Sequence, residues 1–109
     1  LTVIVRPPTR VVNIYKDPYD VYCGRAGRGQ DGTFGNPHTA GWCSSCRRVH
    51  VRDEALALFD IYFEGRITTD DTFRERVRGL AGKRLGCFCK PKRCHVDTIV
   101  KWLEGEGLA

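Results

Sequence analysis

No apolar run in this 109-residue chain comes near the roughly 20 residues that a bilayer-spanning helix needs. That excludes a helical membrane span, and Leu1–Val5 is too short for the apolar core of a signal peptide, so the expected location is the cytoplasm. There are no internal repeats, and the length leaves room for one domain with a modest core that a bound metal would reinforce. Without an export signal, the six cysteines are not expected to form a disulfide framework. Cys43-x-x-Cys46 and Cys87-x-Cys89 have metal-like spacings instead, so reduced and partly metal-bound thiols are expected.

Acidic residues are in the minority. Thirteen Asp+Glu stand against 18 Lys+Arg, a net charge of +5, in a composition otherwise ordinary for a soluble globule at 41% apolar and 28% charged. The excess is clustered. Arg25 and Arg28 lie in a glycine-rich stretch, Arg47, Arg48 and Arg52 flank the Cys-x-x-Cys, and Lys83, Arg84, Lys90, Lys92 and Arg93 surround the last cysteine group. If these clusters converge, they form an anion-binding face suited to phosphate, nucleotide or nucleic acid.

The order of elements is α/β. Leu1–Val5 runs into Pro7-Pro8 and reads as an arm or edge strand, so residues 1–9 form an N-terminal arm, 10–105 the domain and 106–109 a tail. Val11–Tyr15 and Tyr19–Cys23 are β-rich, and Lys16-Asp17-Pro18 turns between them. From Gly24 to Gly41, glycines at 24, 27, 29, 32 and 35 with Asn36-Pro37 predict a long irregular loop. Loops of that length are functional, mobile or pinned by something. Leu56, Phe59 and Phe63 repeat at helical spacing over Arg52–Glu64, with Gly65 as the stop. Thr69 or Asp70 caps a second helix carrying Phe73, Val77 and Leu80 and closing at Gly82. Lys83–Phe88 reads as a strand, and Val96–Leu103 as a third helix with Gly105 at its end. This order predicts a small single-domain sandwich, a short sheet of about three strands packed with three helices, plus a zinc-knuckle-like loop.

Two groups carry chemistry. Upstream, His38-x4-Cys43-x2-Cys46-x3-His50 offers two sulfurs and two imidazoles that can close a tetrahedral zinc shell and order the loop. His38 is the most replaceable of the four, by Cys23 or by a cysteine from the downstream group. Downstream, Cys87, Cys89, Cys94 and His95 fall within nine residues at a strand–helix junction, where free N–H groups and the helix dipole favour thiolate and anions. Cys87 and Cys89, two apart on a strand, are alternative zinc ligands or small core residues. Cys94 is a candidate nucleophile or ligand, and His95 and Asp97 are candidates for proton transfer. Cys87-x5-Arg93 has the spacing of a cysteine-phosphatase loop, against which Pro91 and the lack of glycine within it speak.

Val11-Val12-Asn13, Tyr19-Asp20-Val21-Tyr22, Gly24-Arg25, Gly35-Asn36-Pro37 and Lys83-Arg84-Leu85-Gly86-Cys87-Phe88-Cys89-Lys90-Pro91 with Cys94-His95-x-Asp97 are together similar to domain-of-unknown-function family 4326. The resemblance covers roughly residues 10–105 and implies a phage or bacterial source, hence the host cytosol if the protein is phage-encoded. That family is named for having no assigned activity. Its usual pattern has an aromatic residue where this chain has His38, and it does not require Cys23, Cys43 or Cys46. The resemblance therefore implies that the upstream knuckle is a structural addition and the downstream group the family's own site.

Three functions fit these observations. The first is a zinc-stabilised module that binds a nucleotide or nucleic-acid phosphate in a basic pocket. Arg25, Lys90 and Arg93 would supply charge there, with Gly35 in the loop and Asn36 orienting a base or sugar. The second is a cysteine- or metal-dependent enzyme acting on a nucleotide or other phosphorylated small molecule. The third is a structural or interaction protein with an unidentified protein partner.

Overall fold

Short β-branched runs between turn residues make the strands of this protein, and apolar stripes make its helices. The computed structural model describes residues 8–25, 32–38, 40–43, 46–88 and 92–108; Leu1–Val5, Arg28, Cys89, Lys90 and Pro91 lie outside them. In chain order the elements are β1 (Arg10–Asn13), β2 (Val21–Tyr22), β3 (Gly41–Cys43), β4 (Arg48–His50), α1 (Arg52–Thr69), α2 (Asp71–Arg78), β5 (Arg84–Cys87) and α3 (His95–Gly105). Among the described residues no helix is long and apolar enough to cross a membrane.

β5 is the centre of a three-stranded sheet of order β1-β5-β2, parallel throughout. Side-chain alternation gives the sheet two unlike faces. Leu85 and Cys87, 0% and 1% exposed, point into the core, and Val11 and Val21, both in register with Leu85, pack against the same core. Gly86 faces the other way.

The connection between β1 and β2 crosses the face of β5 over residues 14–20, far fewer than the dozen or more that usually join parallel strands. Ile14 N–H donates to the Cys87 carbonyl (3.0 Å) and Asp20 N–H to the Arg84 carbonyl (2.8 Å), so the segment runs from one end of β5 to the other. A Cβ on residue 86 would lie 2.6 Å from Ile14 Cγ2 and 2.9 Å from Tyr19 Cγ, which is why glycine stands there. The bidentate pair of Arg84 with Asp20 (3.2 and 3.0 Å) and the Arg84 N–H (2.8 Å) close the crossing. These Arg84 contacts hold the Asp20 carboxyl down at about 2.

On the core face the helices supply aromatic rings. Phe59 stacks on Phe63, Phe63 meets Phe73 edge-on, and Phe34 from the glycine-rich loop adds a tilted contact to Phe73. Val96, Ile99 and Leu103 of α3, each 0% exposed, complete the core.

The predicted stop at Gly65 is absent, and α1 continues to Thr69. Ile67 extends the buried stripe one turn beyond Phe63, and Arg66 bonds both Tyr62 Oη (2.7 Å) and the Asp70 carboxylate (3.3 Å). These contacts outweigh the roughly 1 kcal/mol that an internal glycine costs a helix. The helix breaks at Asp70, whose carboxylate accepts the Phe73 N–H (3.0 Å) and caps α2. α2 itself ends at Arg78, and a turn through Leu80 reaches Gly82 at φ 77°. The predicted α/β sandwich is present, with one addition: β3 and β4 pair antiparallel as a separate hairpin within the region of the expected knuckle.

Candidate metal centre

The hairpin places two of the predicted ligands by alternation alone. Gly41 pairs with His50, Trp42 with Val49 and Cys43 with Arg48, so the side chains of Cys43 and His50 lie on one face, and both residues are buried. The Cys-x-x-Cys turn is closed by the Arg47 N–H on the Cys43 carbonyl (2.7 Å), with Arg47 itself at φ 58°. That left-handed conformation costs a non-glycine residue about 1 kcal/mol.

His38 arrives from the other side, and its neighbour Asn36 brings it there. Asn36 is 5% exposed; its side-chain amide donates to the Ala55 carbonyl in α1 (3.0 Å), and its Oδ1 accepts the His38 N–H (2.9 Å). Arg25 braces the same residue by donating from Nη2 to the His38 carbonyl (3.0 Å). Gly35 makes this close approach possible, because a Cβ there would sit 2.5 Å from the Gly24 carbonyl oxygen.

His38, Cys43, Cys46 and His50 thereby form one group, positioned to hold a metal ion, whose ligand atoms all lie within 4.8 Å of one another. A tetrahedral ion with bonds of about 2.3 Å to sulfur and 2.0 Å to nitrogen implies sulfur–nitrogen edges of about 3.5 Å. His38 Nδ1 lies 3.3 Å from Cys46 Sγ and 3.7 Å from Cys43 Sγ.

His50 makes the strongest case. Its Nδ1 donates to the carboxylate of Glu54, four residues on, which in the neutral ring makes Nε2 the nitrogen with the lone pair. That Nε2 is buried and has no hydrogen-bond partner among the described residues. An unsatisfied buried ring nitrogen costs on the order of 1–3 kcal/mol, and a cation removes the deficit. A carboxylate behind the far nitrogen is the usual second layer of a metal-bound histidine. The His50 N–H in turn holds the Glu54 carboxyl below the ordinary range. Burial and the Cys43 thiol push the Cys46 thiol up, a shift that a bound cation reverses by stabilising thiolate.

The downstream junction is built differently. Cys87 is 1% exposed in the apolar core, Cys89 and Lys90 lie outside the described residues, and buried Cys23 is pushed up to about 12 by burial and by the nearby Cys87. Cys94, also 1% exposed, is the N-cap of α3, and its N–H donates to the Asp97 carboxylate (2.9 Å) in a capping box. His95 Nε2 lies 2.7 Å from the Cys23 carbonyl and 3.1 Å from the Phe34 carbonyl, so it carries the proton and donates to both. Nδ1 is then an acceptor, 3.5 Å from Cys94 Sγ. Burial keeps the imidazole below its ordinary pKa. Arg93 pairs with Asp60 (3.4 Å), and its carbonyl accepts from Arg52.

The structure therefore brings together the four upstream ligands, sets Arg25, Gly35 and Asn36 behind them, and places Cys94, His95 and Asp97 at the start of α3. Glu54 was missed in the sequence, although His50-x3-Glu54 entering a helix is the spacing at which a carboxylate reaches back to an imidazole.

No solved structure matches the chain. A relative in Enterobacteria phage T4, "Uncharacterized 12.4 kDa protein in nrdA-td intergenic region", is 38% identical over 90 residues, covering 83% of this chain and 72% of the phage protein. Residues 9–105 match the family described as Domain of unknown function (DUF4326), and the chain belongs to that family.

Proposed function

We propose that this protein is a zinc-stabilised α/β module that binds the phosphate of a nucleotide or nucleic acid in a basic pocket. The buried Nε2 of His50, aligned by Glu54 and grouped with His38 and two thiols, carries the zinc half of the reading. Two sulfurs and two imidazoles within 4.8 Å of one another suit zinc, and four protein ligands would leave no open position, as in a structural site.

The phosphate half rests on convergence of charge. Arg25 bonds the His38 carbonyl and Arg52 the Arg93 carbonyl, contacts that set Arg25 beside the knuckle and Arg52 beside the α3 N-terminus, where the Arg93 side chain pairs with Asp60. A guanidinium has five donors, and each of these contacts uses one. Lys90 joins them in sequence, and Gly35 and Asn36 shape the loop, Asn36 by holding His38.

The enzyme reading draws on the Cys94–His95 contact, but it needs a reachable thiol and a free imidazole. Cys94 is 1% exposed, and His95 Nε2 already serves two carbonyls. A role as a structural or interaction protein keeps the zinc and dispenses with the phosphate.

Metal analysis of the purified chain is expected to give one zinc per molecule. A labelled nucleotide and a labelled oligonucleotide titrated at two salt concentrations test the rest. Three phosphate contacts imply about a 20-fold loss of oligonucleotide affinity between roughly 50 and 200 mM salt, and Arg25→Ala or Arg93→Ala lowers that slope. A flat salt dependence refutes phosphate binding.

A further inference from the structure

The hairpin that buries its ligands on one face exposes apolar side chains on the other. Trp42 and Val49 are register partners, 63% and 67% exposed, and Val51, at 71%, follows β4. A contiguous indole and two valines on the surface is the kind of patch that marks an interaction site. The group positioned to hold a metal ion lies on the reverse face.

The rim is cationic. Arg47 is exposed at the turn and left-handed in φ, and Arg52 begins α1, whereas Arg48, in register with Cys43, lies on the ligand face beside Glu54. Of the neighbouring carboxylates, Glu54 is engaged by His50 and Arg48. An exposed indole with guanidinium groups beside it complements a polyanion whose repeating units carry exposed flat rings. Single-stranded nucleic acid has that chemistry, whereas a duplex keeps its ring faces stacked inside.

We propose that the Trp42–Val49 face of the hairpin is a binding platform for single-stranded nucleic acid, with a base stacked on Trp42 and Arg47 on a flanking phosphate. This rests on the phosphate-binding reading above and names both its substrate class and its contact surface.

The test uses the zinc-loaded full chain carrying Trp102→Phe, so that Trp42 is the remaining indole, and a labelled oligothymidylate. The strand is expected to quench Trp42 emission. Adding Trp42→Ala to the natural chain weakens binding about tenfold, while Trp42→Phe retains most of it and neither changes the zinc content. Unchanged affinity in Trp42→Ala, or tighter binding of a duplex than of the strand, overturns the platform and leaves phosphate binding intact. Binding of nucleotide but not of the strand does the same. If sedimentation shows a dimer that Trp42→Ala converts to monomer, a second copy covers the face and the proposal fails. If neither nucleotide nor oligonucleotide binds, the proposal and the reading beneath it both fall.

Discussion

The knuckle and the α3 junction are both rich in cysteine and histidine, yet they satisfy their polar atoms in opposite ways. At the junction, His95 donates to two carbonyls, Asp97 caps the helix, and Cys87 and Cys94 sit in the core. At the knuckle, His38 and two thiols face one another, and the inner nitrogen of His50 has no hydrogen-bond partner among the described residues. The difference teaches that density of ligand-type residues does not identify a metal site. Buried lone pairs that the protein itself leaves unmatched do so better, because burial without a partner persists only if something else supplies one.

The sharpest way to break this comparison is to remove one sulfur from each region. Cys43→Ser is expected to abolish stoichiometric zinc and to cost about 5 kcal/mol or more, enough to unfold a marginal domain, as chelation should. Cys94→Ser is expected to keep one zinc per chain. Loss of zinc from both variants would place the junction in the metal site and erase the distinction.

A smaller effect is expected at His95. His95→Ala leaves the Cys23 and Phe34 carbonyls without their donor and opens a cavity beside Phe59, a loss of about 3 kcal/mol readable by urea denaturation, with zinc content unchanged. The titration of the same ring has a definite sign. Burial lowers its pKa in the folded state, so the unfolded chain binds a proton that the folded chain does not. Its contribution is therefore fully present above its ordinary 6.5 and is lost as pH falls through the lowered value. Between pH 7.5 and 5.5 the urea midpoint of the natural chain should fall by more than that of His95→Gln, and equal shifts would show that the ring is not held neutral by burial.

Smallest is Glu54→Gln. The amide still accepts from His50 Nδ1 but lacks the charge that strengthens the ring as a ligand, so zinc affinity should drop about 10- to 100-fold in competition with a chelator, with stoichiometry kept. An unchanged affinity would reduce Glu54 to a surface partner of Arg48.

Sequence separation decided how much of this was legible. The knuckle ligands span residues 38–50, so one short loop brings them together and their spacing could be read directly. The apolar stripes of Phe59, Phe63, Phe73, Val77, Ile99 and Leu103 were equally readable, because helical periodicity is local. His95 is another matter: its two carbonyl partners lie 72 and 61 residues away, and no pattern around residue 95 names them. The stop expected at Gly65 was wrong for the same reason, since the burial of Ile67 that carries the helix onward depends on what packs against it.

The sequence by itself determined an α/β domain, its three helices, and a Cys-x-x-Cys knuckle with histidines at ligand spacing, since helical stripes and ligand spacing act over a few residues. Only the tertiary structure decided that β5 lies between β1 and β2, with the crossing admitted by the missing side chain of Gly86. It also decided which of the described cysteines pack in the core and which join the group positioned to hold a metal ion, because burial and the supply of hydrogen-bond partners are properties of the assembled chain.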